Sequence, residues 1–428
     1  MWDRFPKIID PFESVKLLHT SDWHLGRPLY GRNRQREFDA FLEWLAGVVE
    51  SEGVDLLVIS GDVFDTTTPS NRAQESYYRF LHRISRSSCR QVVVTGGNHD
   101  SPTLLEAPKA LLHELRIHVV GAVSGEPEDE ILALDDENGE TQALVCAIPY
   151  LRDRDIRTVE PGEGPEDKSR KLVEGIERHY DVVCGRADAI RQKMPREVPI
   201  IATGHLFTAG GAVVEGDGVR EIYVGSLARV GASAFPDIID YLALGHLHVA
   251  QRVGGCEHLR YSGSPIPMGF AEAGQRKVVL LAEFEGRMPR VVELPVPCFQ
   301  QLERLAGTLG ELSARILELR AAGSNAWLEV EYRGDEPSSA VQESLEGAVS
   351  GSMLEILRIR SIRHDAQKPD SRDEGALLEE LDREAVFGRC LDGLRIEDAL
   401  RPGLLECYRE VLHAMDEEDA LSGEVDAS

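Results

Sequence analysis

Short apolar runs alternate with longer amphipathic segments through the first 120 residues. The strand-like runs are Leu17–Ser21, Asp55–Ile59, Gln91–Thr95 and Ile117–Val120. The segments between them repeat apolar residues at helical spacing, and they are Arg34–Val49, Ser70–Ser85 and Thr103–Leu115. Ser70 is placed to cap the second of these helices. This β-α-β-α order predicts a mostly parallel sheet covered by helices.

A second set of strand-like runs follows, separated more by loops. These runs are Ala143–Ile148, Ile200–Thr203, Tyr241–Leu244 and Lys277–Phe284. Their spacing predicts a second, partly antiparallel sheet, and the charged stretch between them predicts a surface helix over Lys168–Met194. The predicted fold class is α/β, with two sheets packed as a sandwich and flanked by helices. We expect this domain to cover residues 15–288, after an N-terminal extension of residues 1–14.

Prolines at 289, 295 and 297 indicate a boundary or linker. A small α/β capping domain is predicted beyond it, over residues 298–366. Its predicted elements are a helix at Leu302–Leu319, a strand at Ala326–Tyr332, a helix at Ala340–Val349 and a strand at Leu354–Ile362. Residues 375–415 carry two short amphipathic helices, and the acidic residues 416–428 are expected to be disordered.

Composition adds limits on location and partners. The chain is 42% hydrophobic, and it contains no apolar run of the roughly 20 residues that a membrane span requires. Its seven cysteines are dispersed without a C-x-x-C pair, which favours a reducing compartment. We therefore expect a cytoplasmic protein.

The net charge of −27 is unusual for a nucleic-acid enzyme, and residues 301–428 hold 29 acidic but only 14 basic residues. Affinity for nucleic acid would be local or supplied by a partner.

Five short blocks of polar residues lie at the ends of these strand-like runs. They are Asp22-Trp23-His24, Gly61-Asp62, Gly97-Asn98-His99-Asp100, Gly204-His205 and Gly245-His246-Leu247-His248. Since the carboxyl ends of strands meet at one edge of a sheet, these side chains are expected to converge. The candidate metal ligands are Asp22, His24, Asp62, Asn98, His205, His246 and His248. This mixture favours Mn²⁺, Fe²⁺ or Zn²⁺ over Ca²⁺ or Mg²⁺.

Each block alone is a weak signal, because a Gly-His pair after a strand is usually a turn with a structural histidine. The eight histidines outside the blocks are interpreted as structural or surface residues. Two metal ions about 3.5–4 Å apart can clamp the attacking and leaving oxygens of a phosphoryl displacement. Taken together, the five blocks predict a dinuclear metal centre and a phosphoesterase.

The order D-x-H, G-D, G-N-H-D, G-H, G-H-x-H resembles the calcineurin-like metallophosphoesterases. The longer strings Leu18–Gly26, Gly61–Asp65, Val224–Ser226 and Tyr261–Pro265 resemble the SbcD-like nucleases of that family. The resemblance is strong over about residues 15–285 and looser over 300–365. It implies one ion held by Asp22, His24, Asp62 and His248, and a second ion held by Asp62, Asn98, His205 and His246. Mn²⁺ is the expected metal.

The resemblance also implies a substrate-facing role for His99, which would contact the scissile phosphate or protonate the leaving 3′-oxygen. Asp65 is a second catalytic candidate. It would either orient His99 through a hydrogen bond or cap the turn before Pro69. Asp100 is expected to fix the turn after His99 or to start the next helix.

Basic residues follow the first block and could form a phosphate track beside Trp23 and Tyr30. They are Arg27, Arg32, Arg34 and Arg36, with Arg229 as a further candidate. For Arg34 and Arg36, a solvated helix start is an equally good interpretation.

The function implied by the resemblance is a DNA exonuclease on double-stranded ends that also acts as an endonuclease on single-stranded or hairpin DNA. It implies a DNA repair and recombination complex with an SbcC-like coiled-coil ATPase, as a homodimer within a heterotetramer associated with the nucleoid and not with membranes. Residues 375–415 are the candidate docking segment. The alternative is a small-molecule phosphodiesterase, for example for cyclic nucleotides, or a phosphatase on the same scaffold.

Overall fold

Two six-stranded sheets pack face to face in the computed structural model, which describes residues 14–157, 163–208 and 230–361 together with Arg401, Leu404 and Tyr408. The strands of the first sheet are β1 (Val15–Thr20), β2 (Leu56–Ser60), β3 (Gln91–Thr95), β4 (Ile117–Val120), β11 (Val278–Phe284) and β12 (Pro289–Pro295). Those of the second are β5 (Ile131–Asp135), β6 (Thr141–Cys146), β7 (Ile200–His205), β8 (Tyr241–Gly245), β9 (Gln251–Val253) and β10 (Cys256–Tyr261). The predicted α/β sandwich is confirmed.

The first sheet has the order β12-β11-β1-β2-β3-β4, in which β1 to β4 are parallel. The second has the order β5-β6-β7-β8-β10-β9, with a parallel centre from β6 to β10. Val58 and Val93 of the first sheet lie in one buried cluster with Ile201 and Tyr241 of the second. The parallel strands of both sheets therefore end near a common edge, where the polar blocks lie.

Helices cover the outer faces of both sheets. They are α1 (Gln35–Glu52), α2 (Asn71–Ile84), α3 (Pro102–Glu106), α4 (Lys109–Glu114), α5 (Asp153–Ile156) and α6 (Pro165–Arg191). Phe38, Phe41 and Tyr77 bury the α1–α2 pair against the first sheet. The Ser70 hydroxyl accepts a hydrogen bond from the amide of Ala73 at 3.2 Å, as predicted for an N-cap. Within the described residues, no helix has the length and apolar character required to cross a bilayer.

Three predictions about the first sheet and its helices are wrong. Lys277–Phe284 was expected in the second sheet, but β11 pairs antiparallel with β1 in the first. The prediction failed because the sequence of a buried strand does not show which strand it pairs with. Pro289 and Pro295 do not form a linker: they begin and end β12, an edge strand that tolerates proline. The helix predicted over Thr103–Leu115 is divided at Pro108 into α3 and α4.

The small domain contains a three-stranded parallel sheet, β13 (Leu302–Gly307), β14 (Trp327–Tyr332) and β15 (Glu355–Ser361), with helices α7 (Leu309–Ala321) and α8 (Ser338–Val349). The helix predicted over Leu302–Leu319 is therefore a strand followed by a helix. Leu302 and Leu305 fit either pattern, whereas the Thr308–Glu311 capping box sets the true helix start. The predicted docking segment 375–415, the tail 416–428 and residues 1–13 of the predicted extension 1–14 lie outside the continuous described ranges.

Candidate metal centre

The polar blocks converge where strands of both sheets end. Asp22 and Asp62 follow β1 and β2 by two residues, and Asn98 follows β3 by three. His205 is the last residue of β7, and His246 comes directly after β8. His24 and His248 each lie two residues beyond a neighbouring ligand candidate. The structure thus brings all seven predicted ligands to one place.

The backbone is strained at four of these positions. Asp22, His24, Asp62 and His246 have φ angles of 54°, 46°, 51° and 97°, in the left-handed region that residues with a Cβ rarely adopt. Each such conformation costs about 1–3 kcal/mol and persists only where the surroundings enforce it. Main-chain hydrogen bonds supply part of this constraint, since the amide of His24 donates to the carbonyl oxygen of Asp62 at 3.0 Å. This concentration of strain marks the strand ends as a functional site.

Asp62, Asn98, His205 and His246 form one half of the centre, here called the second-ion half. The Oδ1 of Asn98 lies 3.0 Å from Nε2 of His205 and 3.1 Å from Nδ1 of His246. The carboxylate of Asp62 lies 3.3 Å from the same Nε2 of His205. Four potential ligand atoms, from three loops and the end of β7, thus lie close together.

The electrostatics of this half favour a cation at Nε2 of His205. Nδ1 of His205 donates its proton to the carbonyl oxygen of Ser60 at 3.0 Å, so Nε2 is the nitrogen that faces the Asn98 oxygen and the Asp62 carboxylate. A proton on Nε2 can be donated to these oxygens, whereas in the neutral ring all three groups are acceptors. A metal ion satisfies all three, and the backbone carbonyl fixes the tautomer that ligation needs.

Asp22, His24, Asp62 and His248 form the first-ion half. Nε2 of His24 lies 3.3 Å from Nε2 of His248 and 3.6 Å from the Asp62 carboxylate. Ligand atoms of Asp22, His24 and His248 lie within 4.8 Å of one another, as do those of Asp22, Asp62 and His205. Asp62 contacts histidines of both halves, which is the position of a bridging carboxylate. The residues present therefore fit two divalent ions.

The pKa values agree with this arrangement. Burial, together with the neighbouring His205, lowers the pKa of His246 to about 3, so this ring is neutral as a ligand must be. Burial also lowers the pKa of His24. Burial acts in the same direction on His205, but the charges of Asp62 and Asp22 outweigh it and raise its pKa to about 9. A metal ion at Nε2 replaces the proton that these carboxylates attract.

His99 and Asp65 lie beside the first-ion half, but their contacts differ from those predicted. Nδ1 of His99 donates to the main-chain oxygen of Asp65 at 2.9 Å, not to its carboxylate. The Asp65 carboxylate instead accepts from Arg27 at 3.1 Å and lies 3.5 Å from Nδ1 of His24. No hydrogen bond of Asp65 that caps the turn before Pro69 is seen in the described residues. The Asp65 side chain thus lies beside the predicted ligand His24, and only its main chain contacts His99.

Asp100 fixes the turn, one of the two roles expected for it. Its buried carboxylate accepts hydrogen bonds from the amides of Val63, Phe64 and Gly97 at 2.9–3.1 Å. This ties the loop after β2 to the loop after β3. A Cβ on Gly97 would collide with the Asp62 carboxylate, so only glycine permits this approach.

Glu272 is a site residue that the sequence did not reveal. It lies on a short 3₁₀ turn and is fully buried, with Oε1 at 3.5 Å from Nδ1 of His248. Its other oxygen forms an ion pair with Lys277. Burial alone would raise the pKa of Glu272, but His248 and Lys277 hold it at about 2. No motif marks this glutamate, because only the fold brings it to His248.

The predicted phosphate track is mostly engaged in ion pairs. Arg34 is buried and bound to Glu37 at 2.7 Å, so it is neither a phosphate contact nor a solvated helix start. Arg27 pairs with Asp65, and Arg32 pairs with Glu355 of the small domain. Arg36 is exposed, and Arg229 lies outside the described residues.

Comparison with known proteins agrees with this site. The profile of the calcineurin-like phosphoesterases matches residues 15–250, and a profile described as the type 5 capsule protein repressor C-terminal domain matches residues 298–393. The chain belongs to the calcineurin-like phosphoesterase family. Together, the family and the converging donor groups support divalent metal ions.

Individual relatives show to which group within the calcineurin-like phosphoesterase family the chain belongs. The SbcD subunit of the nuclease SbcCD from Escherichia coli K12 is 35% identical over 94% of this chain and 98% of its own length. The SbcD subunits from Rhodobacter capsulatus and Bacillus subtilis are 34% and 31% identical, over 83% and 95% of this chain and 89% and 100% of their own lengths. Within its family, the chain belongs with the SbcD subunits of SbcCD nucleases, which confirms the predicted resemblance.

Proposed function

We propose that this protein is a metal-dependent nuclease that hydrolyses DNA phosphodiester bonds. It acts as an exonuclease on double-stranded ends and as an endonuclease on single-stranded or hairpin DNA, in an SbcCD-type complex. The observation that carries the proposal is that the side chains of the seven predicted ligands lie together, with Asp62 beside both His24 and His205. Relatives described as nucleases align over nearly the whole chain, which favours this function over a small-molecule phosphodiesterase.

In this proposal, Asp22, His24, Asp62 and His248 hold one ion, and Asp62, Asn98, His205 and His246 hold the other. The ions are Mn²⁺, which suits mixed nitrogen and oxygen ligands. When bound, such ions supply Lewis-acid stabilisation of phosphoryl oxygens and lower the pKa of a water nucleophile.

His99 provides the contact with the reacting phosphate. Because its Nδ1–H is committed to the main-chain oxygen of Asp65, its Nε2 is the ring nitrogen that meets substrate. In its doubly protonated form the ring carries a proton on that atom as well, and it donates this proton in a hydrogen bond to the scissile phosphate or transfers it to the leaving 3′-oxygen. The neighbouring His24 ring, with its centroid 4.9 Å away in an edge-to-face contact, limits how far His99 can turn.

The partners follow from the same proposal. An SbcC-like coiled-coil ATPase docks on residues 375–415, and two copies of this chain form a homodimer within the heterotetramer, in the cytoplasm and on the nucleoid. The partner also supplies positive charge, since the chain has a net charge of −27. Truncation after Asp373 should abolish partner binding but leave hydrolysis of a small phosphodiester unchanged. Loss of both activities together would contradict the docking assignment.

The nuclease proposal is tested with purified protein and Mn²⁺ on end-labelled duplex and hairpin DNA, and on bis-p-nitrophenyl phosphate. We expect both DNAs to be cleaved, with a loss of about 10²–10⁴-fold in His99→Ala, the usual size of an acid–base contribution. His82→Ala, an exposed histidine of α2, is the matched control and should cleave normally. Hydrolysis of the small diester with DNA left intact, even after the ATPase partner is added, would contradict a nuclease.

A further inference from the structure

The imidazole of His248 is contacted at both ring nitrogens. Its Nε2 faces His24 in the first-ion half at 3.3 Å, and its Nδ1 faces the Oε1 of Glu272 at 3.5 Å. Both His248 and Glu272 are buried, at 4% and 0% exposure. Neither that Nδ1 nor that Oε1 has a hydrogen-bond partner among the described residues. Each is therefore the available partner of the other, because a buried polar atom left unpaired is costly.

Glu272 is itself held in place from several directions. Its Oε2 accepts a hydrogen bond from the amide of Met268 at 3.0 Å and forms an ion pair with Lys277. The Lys277 ammonium also donates to the main-chain oxygen of His248 at 3.1 Å and to the hydroxyl of Ser264 at 3.0 Å. The lysine thus joins the backbone of His248 to the carboxylate behind its ring.

The turn that carries Glu272 is anchored by packing. Phe270, two residues earlier, lies in a buried cluster with Leu29 of the loop after the first ligand block and Leu302 of the small domain. Tyr30 stacks on the same ring, with centroids 5.8 Å apart. A carboxylate on such a turn has a fixed direction, which is what a residue that orients another side chain requires.

We propose that Glu272, held by Lys277, is a positioning residue that orients the His248 ring. By accepting the proton of Nδ1, Glu272 leaves the lone pair of Nε2 directed at the first-ion half. This inference rests on the proposed function, because it takes His248 to be a metal ligand. Glu272 contacts His248 but neither substrate nor ion. Its replacement should therefore change the affinity only for the ion that His248 holds.

The test is a calorimetric titration of metal-stripped protein with MnCl₂. Replacing Glu272 alone would leave Lys277 buried without its counter-charge, so the variants replace both. In Glu272→Leu/Lys277→Met, one of the two binding events should weaken about 10–100-fold, the usual effect of losing such a support, and the other should not change. Glu272→Gln/Lys277→Met keeps an oxygen that can accept from Nδ1, and its affinity should lie between this variant and the wild type. Glu283→Gln, a carboxylate on β11 away from the centre, should bind both ions normally.

Thermal unfolding in EDTA establishes that the double variants fold, and His248→Asn separates the two claims. If His248→Asn leaves both binding events unchanged, the ligand set behind the proposed function is wrong. If His248→Asn weakens one event but both double variants bind like the wild type, the positioning role is overturned. Equal weakening of both events in the leucine variant would also overturn it, since disturbance of the whole centre is a structural effect.

Discussion

The two halves of the metal centre are built from similar ligands but supported differently. In the second-ion half, the main chain supports His205, through the carbonyl oxygen of Ser60. In the first-ion half, side chains lie behind both histidines, with Asp65 beside His24 and Glu272 beside His248. A main-chain support cannot be removed by a side-chain substitution, but crowding can displace it. A side-chain support can be removed alone, so the first-ion half is the more easily tuned of the two.

The largest effect is expected where the halves meet. Asp62→Asn removes the carboxylate that contacts His24 and His205. Both Mn²⁺ binding events should disappear, and hydrolysis of bis-p-nitrophenyl phosphate should fall on the order of 10³-fold or more, since each metal supplies several kcal/mol of charge stabilisation. Calorimetry and initial rates check this, with Glu283→Gln as the control. If only one ion were lost, Asp62 would belong to one half, and the two halves would not share a ligand.

The hydrogen bond from His205 to the main chain of Ser60 can be tested with a substitution that crowds it. A Cβ on Gly245 would collide with the Ser60 carbonyl oxygen and lie 2.8 Å from Nδ1 of His205, the two atoms of the supporting hydrogen bond. Gly245→Ala should therefore weaken the second-ion event about 10–100-fold. It should also lower the free energy of unfolding by about 1–3 kcal/mol, as overpacking does.

Calorimetry and thermal unfolding in EDTA measure these two effects. Gly47→Ala, in an open position on α1, is the matched control and should be neutral or slightly stabilising. Normal binding of the second ion to Gly245→Ala would show that the Ser60 hydrogen bond does not hold His205 in place.

The smallest effect is expected from a partly exposed side-chain support. Asp65→Asn removes the charge that pairs with Arg27 and lies beside His24. The first-ion event should weaken by about tenfold, the lower limit for such a support, and the second should not change. At saturating Mn²⁺ the hydrolysis rate should stay near that of the wild type, because His99 is bound to the main-chain oxygen of residue 65 and not to its carboxylate. A large fall in that rate, with metal affinity unchanged, would instead give Asp65 a catalytic role.

The candidate ligands could be predicted from the sequence because each lies at the end of an apolar strand or within four residues after it. The polar residues come at the carboxyl end of each strand. In α/β folds, the carboxyl ends of parallel strands lie at the edge of the sheet where sites form. The supports could not be predicted in the same way. Glu272 is 24 residues beyond His248 and lies in none of the motifs, and the buried pairing of Arg34 with Glu37 has the same sequence pattern as a solvated helix start. Such contacts depend on how elements pack, and local spacing does not encode packing.

The errors in the fold have a related origin. Lys277–Phe284 was correctly predicted to be a strand, but its place beside β1 depends on the path of the whole chain. Leu302 and Leu305 fit a helix as well as they fit β13, and only the capping box at Thr308 separates strand from helix. Strand order and short ambiguous runs are thus decided by tertiary contacts.

The most direct test of the account is the number of Mn²⁺ ions bound per chain, measured by calorimetry and elemental analysis after dialysis. We expect two ions for the wild type, one each for His246→Asn and His248→Asn, and none for Asp62→Asn. A single ion in the wild type, or two ions retained by either histidine variant, would contradict a dinuclear centre built from these seven residues.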